Sequence, residues 1–155
     1  MKHILLALAA VFVFAAPARA QTTVITTDPR GYAQGLMDAM TLGGMRPLRE
    51  AYTDMFNGAQ LSANIETTLL VYERAIGQNS AHVARIADDV VLSDVLRVIY
   101  LYHYFGENSW VYTRLTFHAV GDGRWAMAQL SFADQWATIV VATSPGFRPA
   151  ETPRR

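Results

Sequence analysis

The chain has 155 residues, 52% of them hydrophobic, with 13 basic and 13 acidic side chains and no cysteine. A balance of that kind carries no clustered basic face for nucleic acid. The missing thiols exclude disulfides, thiolate nucleophiles and Cys-ligated zinc or iron–sulfur clusters.

Read from the front, Met1, Lys2 and His3 are followed by an unbroken apolar run from Ile4 to Ala16. The run is too short to span a bilayer. Pro17 leads into Ala18-Arg19-Ala20, small residues where a signal peptidase reads. The pattern predicts a secretory leader over 1–20, cleaved after Ala20, and a periplasmic or secreted mature chain. Lys2 and Arg19 leave with it, so eleven basic residues face thirteen acidic ones. The mature part then has no lysine for Schiff-base chemistry and no polybasic segment to hold it at a membrane surface.

Residues 21–28 read as a flexible lead-in to a single domain over 29–143. Asp28-Pro29 is a helix start, an N-cap carboxylate followed by a proline whose missing N–H is not needed there. The first predicted helix, 29–42, places Tyr32, Leu36, Met37 and Met40 on one face, and Gly43-Gly44 stops it. A second, 47–57, carries Leu48, Tyr52, Met55 and Phe56. A third, 64–76, carries Ile65, Leu69, Tyr72 and Ile76 and ends at Gly77. Met37, Met40, Met45 and Met55 fall among these stripes and read as core filler. Asp38, Glu66 and Glu73 read as solvated-face charges.

After Leu92 the period changes from 3.6 to 2. Strands are expected at 82–92, 95–105, 110–120 and 124–134, rich in β-branched and aromatic residues. In the first of these, Asp88-Asp89 predicts a bulge on an edge strand. Two-residue turns at Glu107-Asn108 and Asp122-Gly123 set Phe105 opposite Trp110 and Val120 opposite Trp125. One face then collects Leu96, Val98, Tyr100, Tyr102, Tyr104, Val111, Thr113, Leu115, Phe117, Ala119, Ala126, Ala128, Leu130 and Phe132. That face is expected to receive the helices. The fold class is α+β, with three N-terminal helices on one face of a curved antiparallel sheet of about four strands. The opposite face holds Ile99, Leu101, Phe105, Thr116, Met127, Gln129 and Ser131. It also holds seven residues expected at a homodimer interface: Arg97, His103, Trp110, Tyr112, Arg114, His118 and Trp125. Coverage of that face by 135–143, through Trp136, Ile139, Val140 and Val141, is the intramolecular alternative. Residues 144–155, with three prolines, read as an exposed tail.

Catalytic signatures are missing: there is no G-x-S-x-G, phosphate loop or H-E-x-x-H. His103 and His118 lie too far apart along the predicted strands to share a metal, and no metal or cofactor site is expected. Tyr102, Tyr104, Asp134 and Trp136 form the candidate ligand pocket, at one end of the helix-side face. Three inward tyrosines need partners for their hydroxyls, and a cavity there suits a small apolar ligand with one polar group. Asp134 beside Tyr104 or Tyr102 is the acid–base alternative.

This order of helices followed by an antiparallel sheet resembles the nuclear transport factor 2-like superfamily, which includes ketosteroid isomerases and polyketide cyclases. Leu96-Arg97-Val98-Ile99-Tyr100, Arg114-Leu115-Thr116-Phe117-His118, Gly121-Asp122-Gly123-Arg124-Trp125 and Leu130-Ser131-Phe132-Ala133-Asp134 are similar to segments of small exported bacterial proteins of unknown function. The resemblance covers about 65–136 and implies a cone-like fold and a capacity to dimerise. It implies no reaction, since no Asp–His pair lies on the expected helix-side face. The expectation is therefore an exported module that binds a small molecule or an envelope protein. An isomerase- or cyclase-like enzyme, or a structural dimer or accessory subunit of an envelope complex, is the alternative.

Overall fold

The structure is a computed structural model, and it describes residues 24–58, 60–77, 79–106 and 109–140. The leader expected over 1–20, the turn at Glu107-Asn108 and the tail over 144–155 lie outside the described residues. The fold is α+β: one antiparallel five-stranded sheet with four helices.

Asp28 caps the first helix, α1 (Pro29–Gly43), by accepting from the Gly31 N–H at 2.9 Å. Helix α2 (Arg46–Met55) follows after a turn at Gly44. There φ is +60°, and a Cβ would sit 3.2 Å from the Gly77 carbonyl, so glycine is what the approach to Gly77 admits. Helix α3 (Ala63–Ile76) starts on a Ser62 cap. Arg49 of α2 reaches Glu73 at 2.8 and 2.9 Å and Glu66 at 2.6 Å, both on α3. The two glutamates expected as idle surface charges thus hold two helices together, and they keep the Arg49 guanidinium protonated.

The sheet order is β1-β5-β4-β3-β2. Strand β1 is the pair Ile25–Thr26, bonded to β5 (Arg124–Ala133). The end of the expected lead-in is therefore sheet, with Val24 accepting from the Met127 N–H at 2.8 Å. Strand β2 (Val83–Ser93) lies at the far edge and carries the expected bulge, its register shifting between Ile86 and Asp88. The side chain of Asp89 turns to Arg97 (2.8 and 2.7 Å) and to Arg30 of α1 (2.7 Å), tying α1 to β2 and β3. Hydrogen bonds from Arg97 are the largest reason its carboxyl stays below the usual range, with Arg30 adding to them.

Strands β3 (Leu96–Gly106) and β4 (Ser109–Gly121) depart from the expected register by one residue. Tyr104, not Phe105, pairs with Trp110, because Gly106 pairs with Ser109 and Phe105 is the extra residue of a bulge. Gly106 has φ +89°, the conformation such a bulge draws on. One residue of slip exchanges the two faces of a strand. So Ile99, Leu101, His103 and Phe105 face the helices, and Val98, Tyr100, Tyr102 and Tyr104 lie behind. A second irregularity, between Thr116 and Phe117, does the same to the start of β5. Ala128 is the residue passed over there, and a further shift between Ala119 and Gly121 pairs Trp125 with Ala119 rather than with the expected Val120, so Met127 and Trp125 turn inward while Ala126 turns out.

Strand β4 and the end of β5 keep their expected faces. Val111, Leu115, Phe117 and Leu130 are buried in the core under α1, α2 and α3. Tyr32 meets Phe117 edge-on, Tyr52 and Tyr72 both meet Phe132 edge-on, and the Tyr52 hydroxyl donates to the Leu130 carbonyl at 2.8 Å. The methionines expected as filler do occupy this core, with Met40 and Met45 sealed within it.

Behind the sheet lies a smaller cluster of Val98, Tyr100, Ala133 and Ile139. It is closed by the one-turn helix α4 (Trp136–Ile139), with Trp136 against Tyr100 and Tyr112 at 5.2 and 5.3 Å. Intramolecular cover is thus what part of this face receives.

Candidate binding cleft

The end of α3 and the β3–β4 hairpin do not close on one another, and a cleft of about 470 Å³ opens between them. Its floor is Ala75, Ile76 and Phe105, and its walls carry Asn79, Ser80, His82 and Ser109. A smaller hollow of about 190 Å³ continues it past Ala75, Ile76 and Ser109 to Val71, Tyr72, Trp110 and Asp134. Both belong to one trough beside α3.

Local sequence explains each wall. Gly77 ends α3 with φ +64°, turning the chain away before it reaches the sheet edge. His82 then begins the return, its N–H donating to the Tyr104 carbonyl at 2.7 Å. Its ring lies over Gly106, 3.0 Å from where a Cβ would stand. The bulge at Phe105 turns that ring inward to make the floor. Trp110, 37% exposed, stands at the rim with Tyr104 stacked at 6.4 Å. At the other end burial, and then the Asp134 carboxylate, hold the Tyr72 hydroxyl above its ordinary pKa. The trough therefore offers an apolar floor, one exposed indole edge and scattered polar groups, with the Asp134 carboxylate at one end.

Of the four expected pocket residues, Asp134 lines the trough, in company with Tyr72 rather than a β3 tyrosine. Tyr102, Tyr104 and Trp136 sit behind the sheet: Tyr102 packs on Tyr112 at 5.3 Å, under the guanidinium of Arg85. The pairing of Asp134 with Tyr102 or Tyr104 for acid–base work is not assembled. Phe105, Trp110 and Tyr72 were missed as lining residues. The signal was present in the glycine after Phe105, since a glycine beside a short hairpin loop marks a bulge as readily as a two-residue turn.

The seven expected interface residues do not share a face. Arg97, His103 and Trp125 lie on the helix side: Arg97 bonds Asp89, His103 is fully buried with Nε2 donating to the Met37 carbonyl at 3.1 Å, and Trp125 packs on the core. Tyr112, Arg114 and His118 lie behind, and Trp110, paired with Tyr104 on that side, stands at the end of the sheet where it reaches the trough. Arg97 pairs with Phe117 across β3 and β4. Among the described residues no three His, Asp or Glu side chains gather where a metal ion would fit. No helix among them is long and apolar enough to cross a membrane. No family model, no curated protein and no solved structure matches this chain.

Proposed function

We propose that this chain is a small-ligand-binding module working outside the cytoplasm, its ligand seated in the trough between α3 and the β3–β4 hairpin. The carrying observation is the cleft of about 470 Å³, in the size range of small-molecule sites, with apolar Phe105 and Ile76 beneath scattered polar groups. The exported location rests on the basic, apolar, Ala-x-Ala order of residues 1–20. The cone-like superfamily resemblance is consistent with helices on one face of an antiparallel sheet. Native mass spectrometry of protein purified from its own envelope tests the reading. A bound small molecule is expected, and Ala75→Trp, which fills the trough, is expected to release it. A ligand-free mass, or a ligand kept by the Ala75→Trp protein, would refute it.

A second reading, a protein-interaction module, draws on a different place. Val91, Val95 and Val120 are 65%, 57% and 47% exposed at the opposite end of the sheet. Val95 accepts from the Ala119 N–H at 3.0 Å, which brings that turn beside the end of β4. Sedimentation velocity at micromolar concentration separates the readings, a dimer dispersed by Val95→Asp favouring this one.

A further inference from the structure

Behind the sheet, away from the trough, two polar groups lack what their chemistry demands. Tyr100 and Arg114 are directly paired across β3 and β4 and project on the same face. Tyr100 is 2% exposed, and its hydroxyl is sealed from solvent with no hydrogen-bond partner among the described residues. The Arg114 Nε–H is sealed and unpartnered in the same way. The rest of that guanidinium is served by neutral acceptors alone: the Ile139 carbonyl at 3.0 Å and the Ser131 hydroxyl at 3.3 Å. No carboxylate pairs with Arg114 among the described residues, although Arg30, Arg49 and Arg97 each have one.

A buried donor left without a partner is costly, more so in a charged group, so two adjacent ones need an explanation. The Nε–H can only donate and the hydroxyl can donate as well as accept, so one acceptor would serve both. The neighbouring cation selects an anionic one, and a planar carboxylate suits the guanidinium fork best. We infer that the Tyr100–Arg114 pair is a binding site for a small carboxylate with an apolar body, covered by α4.

The cover is held by the group the ligand would engage. Arg114 grips the Ile139 carbonyl, and α4 is a single turn whose N-cap residue, Gln135, makes no side-chain cap. A carboxylate accepts a charge-assisted, two-pronged bond where a carbonyl accepts one ordinary bond. The ligand therefore displaces the Ile139 carbonyl, lifts α4, and takes the Tyr100 hydroxyl as a further donor. Lifting α4 takes Ile139 off Val98 and the ring of Tyr112, and these two would receive the ligand's apolar body.

Titration of the ¹⁵N-labelled full chain with sodium benzoate tests this, chloride holding the ionic strength constant. The arginine side-chain Nε–H resonances are read, that of Arg114 being assigned by its loss in Arg114→Lys. A saturable shift of the Arg114 resonance, with the Trp136 indole N–H moving in step, is expected. Tyr100→Phe keeps the buried ring and loses only the unpartnered hydroxyl, so it is expected to fold normally and bind benzoate about tenfold more weakly. A linear drift shared by all arginines, no shift, or unchanged affinity in Tyr100→Phe would overturn the site. So would an Arg114 resonance that moves on Glu151→Gln without benzoate, because the acceptor would then belong to the chain itself. None of these outcomes bears on whether the α3 trough binds its own ligand.

Discussion

Lowering the pH from 7.5 to 5.5 should destabilise this protein through one side chain, His103. Its ring is fully buried between α1 and β3, stacked on Phe105 at 5.9 Å. Since the Met37 carbonyl can only accept, Nε2 carries the proton, and Nδ1 is left with no partner among the described residues. Protonation would place a charge and a second N–H where nothing receives them. Burial accordingly lowers its pKa, only partly offset by the bond to Met37. Unfolded, the imidazole titrates near the ordinary value of about 6.5. Above that pH both states are neutral and His103 contributes no pH dependence. Below it the unfolded chain binds a proton that the folded one refuses, and stability falls as the pH falls toward the lowered folded pKa. A ring that stayed neutral in the folded chain throughout this interval would set the upper limit of the loss, about 1.4 kcal/mol, from the unfolded ring's titration alone. Urea denaturation at 25 °C of the parent and of His103→Leu measures it. The Met37 carbonyl keeps the Thr41 hydroxyl at 2.8 Å, so the substitution strands no acceptor. The variant should match the parent within about 1 kcal/mol at pH 7.5 and lose less on acidification, by up to about 1.4 kcal/mol. His82 and His118 are exposed and common to both proteins, so they cancel. Equal losses in the two proteins would show that His103 is not a sealed neutral imidazole.

Three further substitutions check other parts of the account. Met127→Ala should cost about 2–4 kcal/mol and Ala128→Asp less than about 0.5, both read by thermal and urea unfolding; the reverse order would restore the bulge-free β5 register. Asp89→Asn leaves Arg97 and Arg30 facing each other without their anion, and with that carboxylate only 12% exposed the loss should be about 2 kcal/mol. The parent's advantage over Asp89→Asn should vanish as the pH falls below the ordinary carboxylate range, because the lowered carboxyl contributes stability only while ionised. Gly106→Ala meets a positive φ and the His82 ring, so it should cost about 1–2 kcal/mol and move the His82 imidazole resonances.

Helices, strand number near the core and the edge bulge on β2 were legible, because each rests on a local pattern. Asp28-Pro29, Gly77 and the alternation through 111–117 act within a few residues of themselves. The facing of β3 was not legible. Its residues are apolar on both sides: Val98, Tyr100 and Tyr102 alternate with Ile99, Leu101 and His103. When both faces of a strand are hydrophobic, periodicity no longer says which is inside. Only the loop geometry decides, and a glycine next to a short loop permits either a clean turn or a bulge. Strand β1 escaped for the opposite reason. Two residues carry no period at all, and Ile25 and Thr26 gain their place only by pairing with Ala126 and Trp125 about a hundred positions later.

Both candidate sites descend from that same irregularity. Inserting Phe105 as an extra residue turns its ring toward α3, where it floors the trough, and turns Tyr104 to the back, where it stacks on Trp110. It also sends Tyr100 away from the helices, where a hydroxyl would have met α2 and α3, to a place beside Arg114 with no acceptor. A hairpin with the straight two-residue turn would bury Tyr102 and Tyr104 and expose Phe105 and Leu101. Restoring that register would need a glycine-free loop and a residue that dislikes φ +89° at position 106. The strain of Gly106→Ala therefore acts on more than the turn. It presses toward a slipped β3, and the two faces would have to exchange together, because one strand cannot change one side alone.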